Sequence, residues 1–60
     1  MNNFNYDDEA PYIVNFNRWY HMNTVEREMY KEDKMPFDKA ELTFKKMWGF
    51  KKLEETVFVN

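Results

Sequence analysis

The chain has 60 residues, a net charge of −2 and no cysteine. It also lacks Ser and Gln and has one Gly and one His, whereas 12 residues are aromatic and five are Met. The chain therefore cannot form a disulfide and has no Ser or Cys nucleophile. A glycine-rich phosphate loop would need several Gly residues, and a zinc site would need several His or Cys residues. The composition therefore predicts a binding protein rather than an enzyme. We expect no catalytic residue, no metal site, no cofactor and no small-molecule substrate.

Residues 1–10 differ from the rest of the chain in composition. This segment, MNNFNYDDEA, is rich in Asn and acids and has no apolar periodicity, which predicts a flexible acidic N-terminus from which Phe4 and Tyr6 can still dock. Its acids are Asp7, Asp8 and Glu9. Such adjacent acids are more typical of a solvated terminus than of a cation site. We expect residues 11–60 to form one small helical domain, because so short a chain supports a single core.

From Pro11 onward, apolar residues recur at helical spacing. They are Ile13, Phe16, Trp19 and Tyr20. A competing interpretation makes residues 11–16 a strand, because PYIVNF is rich in residues that favour strands. Asn23 and Glu26 also have the spacing of a helix start. The sequence therefore leaves open whether one helix runs to about Lys31 or the chain breaks at Met22–Thr24.

A second helix is predicted from about Lys39 to Trp48. Asp38 is the expected N-cap, and Gly49 is the expected left-handed residue that ends the helix. Phe37 and Leu42 have the spacing of a hydrophobic staple. The face expected to meet the first helix contains Ala40, Phe44, Met47 and Trp48, and its partners there are Phe16, Trp19, Tyr20, Val25 and Met29.

The C-terminal segment alternates in hydropathy, and TVFV is β-branched or aromatic throughout, which favours an extended conformation. The predicted fold is therefore mainly α: an antiparallel helical hairpin of two or three helices with a short extended C-terminal segment. The alternative is an α+β fold in which residues 11–16 pair with residues 53–59 as strands.

The segment KKMWGFKK combines cations with aromatic rings, the combination that single-stranded nucleic-acid sites use for phosphates and stacked bases. Its candidate residues are Lys45, Lys46, Trp48, Phe50, Lys51 and Lys52. Two observations argue against this interpretation. Lysines are also favoured at a helix C-terminus, and the chain as a whole is acidic, whereas nucleic-acid-binding proteins are usually basic. Nucleic-acid binding is therefore the alternative function.

The first hypothesis is protein binding, because Trp, Tyr and Arg are enriched at interaction hot spots and so small a domain cannot bury every ring and Met side chain. The candidate residues are Arg18, Trp19, Tyr20, Tyr30 and Trp48. The partner is expected to be another protein or a second copy of the chain. His21 is interpreted as an ordinary helix histidine.

The abundance of Asn, Lys, Phe, Tyr and Met indicates A+T-rich coding, which suggests a small accessory protein of a bacteriophage type that inhibits or modulates a host protein. No segment has the apolar length of a membrane span. We therefore expect a cytoplasmic protein, located in the host cytoplasm if it is phage-encoded.

Overall fold

The computed structural model describes residues 4–58, with side chains described for residues 4–54. Two α-helices make up most of this range: α1, Tyr12–Met29, and α2, Phe37–Phe58. Tyr12 at the start of α1 contacts Phe44, whereas Tyr20 later in α1 contacts Phe37 at the start of α2. The helices are therefore antiparallel, and the predicted helical hairpin is confirmed.

The extended conformation predicted for the C-terminal segment is wrong, and so is the alternative strand pair. Residues 12–16 belong to α1 and residues 53–58 belong to α2, and the described part of the chain contains no strand. Residue 59 lies outside the described residues. Lys and Glu between Phe50 and Thr56 are good helix formers, and here they outweigh the strand preference of the last residues.

The first helix is continuous through Met22–Thr24. The Asn23 side chain does not start a second helix, because its Oδ1 accepts a hydrogen bond from Arg27 Nε at 3.1 Å along the same helix. After Met29, Lys31 adopts a left-handed φ of 59°. Its N–H donates to the Glu28 carbonyl, and the next N–H, that of Glu32, donates to the Arg27 carbonyl at 2.8 Å. This pattern is a Schellman motif, which ends α1 cleanly.

The second helix begins and ends elsewhere than predicted. The Ala40 N–H donates to the Pro36 carbonyl at 2.9 Å, so α2 begins at Phe37 and Asp38 lies inside its first turn instead of capping it. An acid there still interacts favourably with the helix dipole. Gly49 lies within α2 and has no positive φ, so its predicted role as the left-handed terminator is also wrong.

The core is aromatic and centres on Phe44, whose side chain is fully buried. The Phe44 ring contacts five others at centroid distances of 5.2–6.3 Å. Those rings belong to Phe4, Tyr6, Tyr12, Phe16 and Trp19. Ala40, also fully buried, is the small residue that lets the two helices approach. The Tyr20 hydroxyl donates to the Met35 carbonyl at 2.5 Å, which joins α1 to the connecting loop.

Part of the predicted interhelical face lies outside this core. Met47, Val25 and Met29 were expected to pack between the helices, but they are 46%, 41% and 74% exposed. That placement is wrong for Val25 and Met29 because they follow Tyr20, which already lies against Phe37 at the start of α2. On α2 the aromatic contacts with the core are made by Phe44 and Trp48 instead of Met47. Trp48 is half-buried and packs at the edge of the core.

The N-terminal segment is held to α1 by the buried amide of Asn15. Asn15 Oδ1 accepts from the Asp7 N–H at 2.7 Å, and Asn15 Nδ2 donates to the carbonyls of Asp7, Ala10 and Pro11 at 3.0–3.1 Å. Phe4 and Tyr6 pack on the core as docked side chains. The flexibility of residues 1–10 stays a prediction.

Replacing Asn15 with Ala is expected to lower the free energy of unfolding by about 2–3 kcal/mol, because the change removes the four hydrogen bonds through which the buried Asn15 amide holds the chain that precedes α1, and each such bond contributes about 0.5–1.5 kcal/mol. Urea unfolding measures this loss. Asn17→Ala, at an exposed position of the same helix, should cost less than about 0.5 kcal/mol. Equal losses for the two variants would contradict the role of the Asn15 amide.

Replacing Gly49 with Ala is expected to raise the free energy of unfolding by up to about 1 kcal/mol, because Ala favours helix interiors over Gly. The added Cβ would lie 3.2 Å from Lys45 Cγ, part of a flexible side chain that can move aside. Thermal or urea unfolding measures the change. A loss of more than about 1 kcal/mol would contradict a helical Gly49, because a left-handed backbone conformation disfavours Ala by about 1–2 kcal/mol.

Candidate functional site

The lysine and aromatic residues of segment 45–52 are spread around α2. Lys45 and Lys46 are exposed to solvent. Trp48 is partly covered by the N-terminal segment, with ring centroids 5.1 Å from Tyr6 and 6.3 Å from Phe4. A base could stack on the Trp48 face that Tyr6 covers only if the N-terminal segment moved away.

Lys51 takes part in the fold. Its Nζ lies 2.7 Å from the Asp8 carboxylate and 3.8 Å from that of Glu54, and 5.6 Å from the ring centroids of Tyr6 and Phe50. The hydrogen bond to Asp8 raises the pKa of the Lys51 ammonium group above its ordinary value. Asp8 therefore occupies the position on Lys51 that a phosphate would need.

Lys52 lies beside Tyr12 at the start of α1. Its Nζ is 5.6 Å from the Tyr12 ring centroid. Burial, with a smaller contribution from the charge of Glu41, raises the pKa of the Tyr12 hydroxyl. The four lysines of segment 45–52 therefore do not form one surface: Lys45 and Lys52 line the same side of α2, Lys46 is exposed elsewhere on the helix, and Lys51 contacts the N-terminal segment.

The five candidate residues for protein binding do not form one surface. Trp19 is 4% exposed and lies in the core, and Tyr20 is half-buried with its hydroxyl bonded to the loop. Arg18 is exposed and pairs with Asp7 at 3.4 Å. Tyr30 is 64% exposed after the end of α1, and Trp48 lies beneath the N-terminal segment.

Exposed apolar side chains are the most prominent feature of the described surface. Nine large ones are between 41% and 74% exposed, whereas five apolar residues are buried. The exposed set comprises Ile13, Val25, Met29, Tyr30, Phe37, Leu42, Met47, Phe50 and Leu53. Only Tyr30 and Phe50 among these were singled out as binding residues from sequence.

Three of these residues form a row on α2, which we call the outer stripe: Met47, Phe50 and Leu53. Successive members are three positions apart and are therefore neighbours on a helix surface. They are 46%, 52% and 70% exposed, and the Phe50 ring lies 6.0 Å from that of Trp48. Recognising this row in the sequence requires knowing that the helix continues past Gly49.

A second feature is an open groove of about 540 Å³ between the first half of α1 and the exposed side of α2. Its lining comprises Tyr12, Ile13, Phe16, Asp38, Glu41, Leu42, Lys45 and Lys52. Both helices contribute apolar side chains to the lining, and the charged residues all belong to α2. The groove could therefore receive an apolar side chain flanked by charges.

Within the described residues, no three His, Cys, Asp or Glu side chains are grouped so that they could hold a metal ion. His21 is an exposed residue on α1. Neither helix, over the range that the structure describes, has the length and apolar character needed to cross a membrane.

Comparison with protein-family models, with curated proteins and with solved structures finds no match for the chain.

The fold is expected to lose stability as the pH rises above about 10. Tyr12 and Lys51 both have raised pKa values in the folded chain, so each binds its proton more tightly when folded. Their contribution to stability is complete when the pH is below their pKa values in the unfolded chain. It is lost as the pH rises through their pKa values in the folded chain. Urea unfolding at a series of pH values measures this loss, and Tyr12→Phe should make it smaller. An identical loss in the variant would exclude Tyr12 as a source.

Proposed function

We propose that this protein works by non-covalent binding to another protein through the outer stripe of α2. The observation that carries the proposal is the exposure of Met47, Phe50 and Leu53 side by side on one helix. Contiguous exposed apolar surface marks interaction sites on small soluble domains. Met side chains adapt to differently shaped partners, and aromatic rings supply large contact areas at small entropic cost.

The partner that such a surface fits is a protein with an apolar groove. A helix that presents apolar residues three positions apart, as the outer stripe does, is suited to lie in a groove of this kind. Lys46 is exposed on α2 near the stripe, and it would remain at the rim of the interface, where charges affect the association rate more than the affinity. The proposed activity is therefore stoichiometric and needs no catalytic residue.

The biological role that we propose is inhibition or modulation of a host protein by a phage-type accessory protein acting in the host cytoplasm. The small size, the scarcity of catalytic residue types and the composition typical of A+T-rich coding support this proposal. Occupying a surface of the target would be sufficient for such a role.

The test is affinity capture from a bacterial lysate with the immobilised chain, followed by quantitative mass spectrometry. A variant carrying Met47→Gln, Phe50→Gln and Leu53→Gln should lose captured proteins about tenfold or more, since hot-spot residues each contribute more than about 1 kcal/mol. Circular dichroism should show an unchanged helix content, because Gln is a good helix former.

The matched control removes exposed apolar residues from α1 instead, through Val25→Gln and Met29→Gln. This control should retain the captured proteins. If the wild type, the outer-stripe variant and the control capture the same proteins in the same amounts, the proposed function is refuted.

Single-stranded nucleic-acid binding through segment 45–52 is the second candidate. Two exposed lysines, Lys45 and Lys46, favour it, and Lys46 is four positions before Phe50, which is 52% exposed. The contacts of Trp48 and Lys51 with the N-terminal segment weigh against it, because a nucleic acid would have to displace them. Titration of labelled single strands at two salt concentrations distinguishes this candidate, since phosphate binding weakens steeply with salt.

A further inference from the structure

The charged residues that line the groove follow a definite order along α2. Along α2 its charged residues run acid, acid, base, base: Asp38, Glu41, Lys45 and Lys52. At about 100° per residue these four positions fall within an arc of about 60° on the helix surface. They therefore form one stripe that is negative toward the start of α2 and positive toward its end.

When two copies of this stripe lie antiparallel, the acidic end of each faces the basic end of the other. We infer that the groove binds a second copy of this chain, with the two α2 helices antiparallel about a two-fold axis. In this arrangement Glu41 of each copy faces Lys45 of the other, and Asp38 of each copy faces Lys52 of the other. Isologous contacts of this type are the most common in soluble homodimers.

A single two-fold axis relates both sets of charge pairs. The midpoint between positions 41 and 45 is position 43, and the midpoint between positions 38 and 52 is position 45. At about 1.5 Å per residue these midpoints lie about 3 Å apart along the helix. An axis at the level of position 44 is therefore about 1.5 Å from each midpoint, so the facing residues of each pair are offset by about 3 Å along the helix, a distance that lysine side chains can span.

The apolar residues of the groove lie where this dimer would bury them. Leu42, which is 61% exposed, is close to the axis, and Ile13, which is 56% exposed, is on the opposite wall of the groove. Leu42 of each copy would thus enter the groove of the other and pack toward Ile13 and Phe16. The apolar contact would supply most of the affinity, and the charges would set direction and register.

This inference goes beyond the proposed function, because it concerns residues other than Met47, Phe50 and Leu53. A dimer formed through the groove would carry two outer stripes and could engage two partner molecules, which increases the apparent affinity of a multivalent binder.

The test is analytical ultracentrifugation of the full chain over a range of concentrations. The wild type should sediment as a monomer–dimer equilibrium. Glu41→Lys and Lys45→Glu should each weaken self-association about tenfold or more, because each change places two pairs of like charges across the axis. An equimolar mixture of the two variants should dimerise again, since every facing pair is then of opposite sign.

Lys46→Glu is the matched control, because it makes the same charge change as Lys45→Glu at an exposed position one residue farther along α2. It should dimerise like the wild type. Recovery in the mixture also excludes misfolding as the reason for the single-variant losses. A monomeric wild type, equal effects of the changes at positions 45 and 46, or a mixture that stays monomeric would each overturn the inference.

The two proposals can fail separately. The Met47→Gln, Phe50→Gln and Leu53→Gln variant should lose captured proteins yet retain wild-type dimerisation. A dimer with no captured protein would refute only the proposed function, and captured protein with a monomeric chain would refute only the groove dimer.

Discussion

The packing of Phe44 is the interaction on which the rest of this structure depends. One buried ring contacts α1 through Tyr12, Phe16 and Trp19, and contacts the N-terminal segment through Phe4 and Tyr6. Two helices alone would offer few apolar contacts on so short a chain. By joining three segments at one point, aromatic packing provides a core without disulfides and with few aliphatic residues, and the Asn15 amide fixes the position of the third segment.

A core built around one ring has limited capacity, and this limit connects the fold to the proposed function. The described residues bury five apolar side chains, whereas nine large ones remain substantially exposed. The exposed residues occur on both helices, and those of α2 include the outer stripe and Leu42 at the groove. The proposed partner surface and the proposed dimer surface therefore have a common physical origin: each would cover apolar area that the core cannot accommodate.

The sequence predicted the hairpin because Phe16, Trp19, Ala40 and Phe44 follow the helical period, and all four are buried. The prediction from the sequence was wrong where two local signals favoured different structures. Gly49 matched a helix terminator, yet the Lys and Glu residues beyond it continue the helix. Composition allowed Phe4 and Tyr6 to dock but could not give their position, because the rings that they contact, Phe44 and Trp48, are about 40 residues away in sequence. Of the candidate site residues, Phe50 and Tyr30 are exposed, whereas Trp19 is in the core, since spacing alone does not distinguish an interface aromatic from a buried one.

The most direct test of this account is the accessibility of individual side chains, measured by NMR as the relaxation caused by a soluble gadolinium chelate. We predict strong relaxation of the Phe50, Leu53 and Met29 side chains and weak relaxation of the Phe44 ring and the Trp19 indole. Uniform protection of the Phe50, Leu53 and Met29 side chains in the monomeric chain would show that the fold buries its apolar surplus, and would contradict the account.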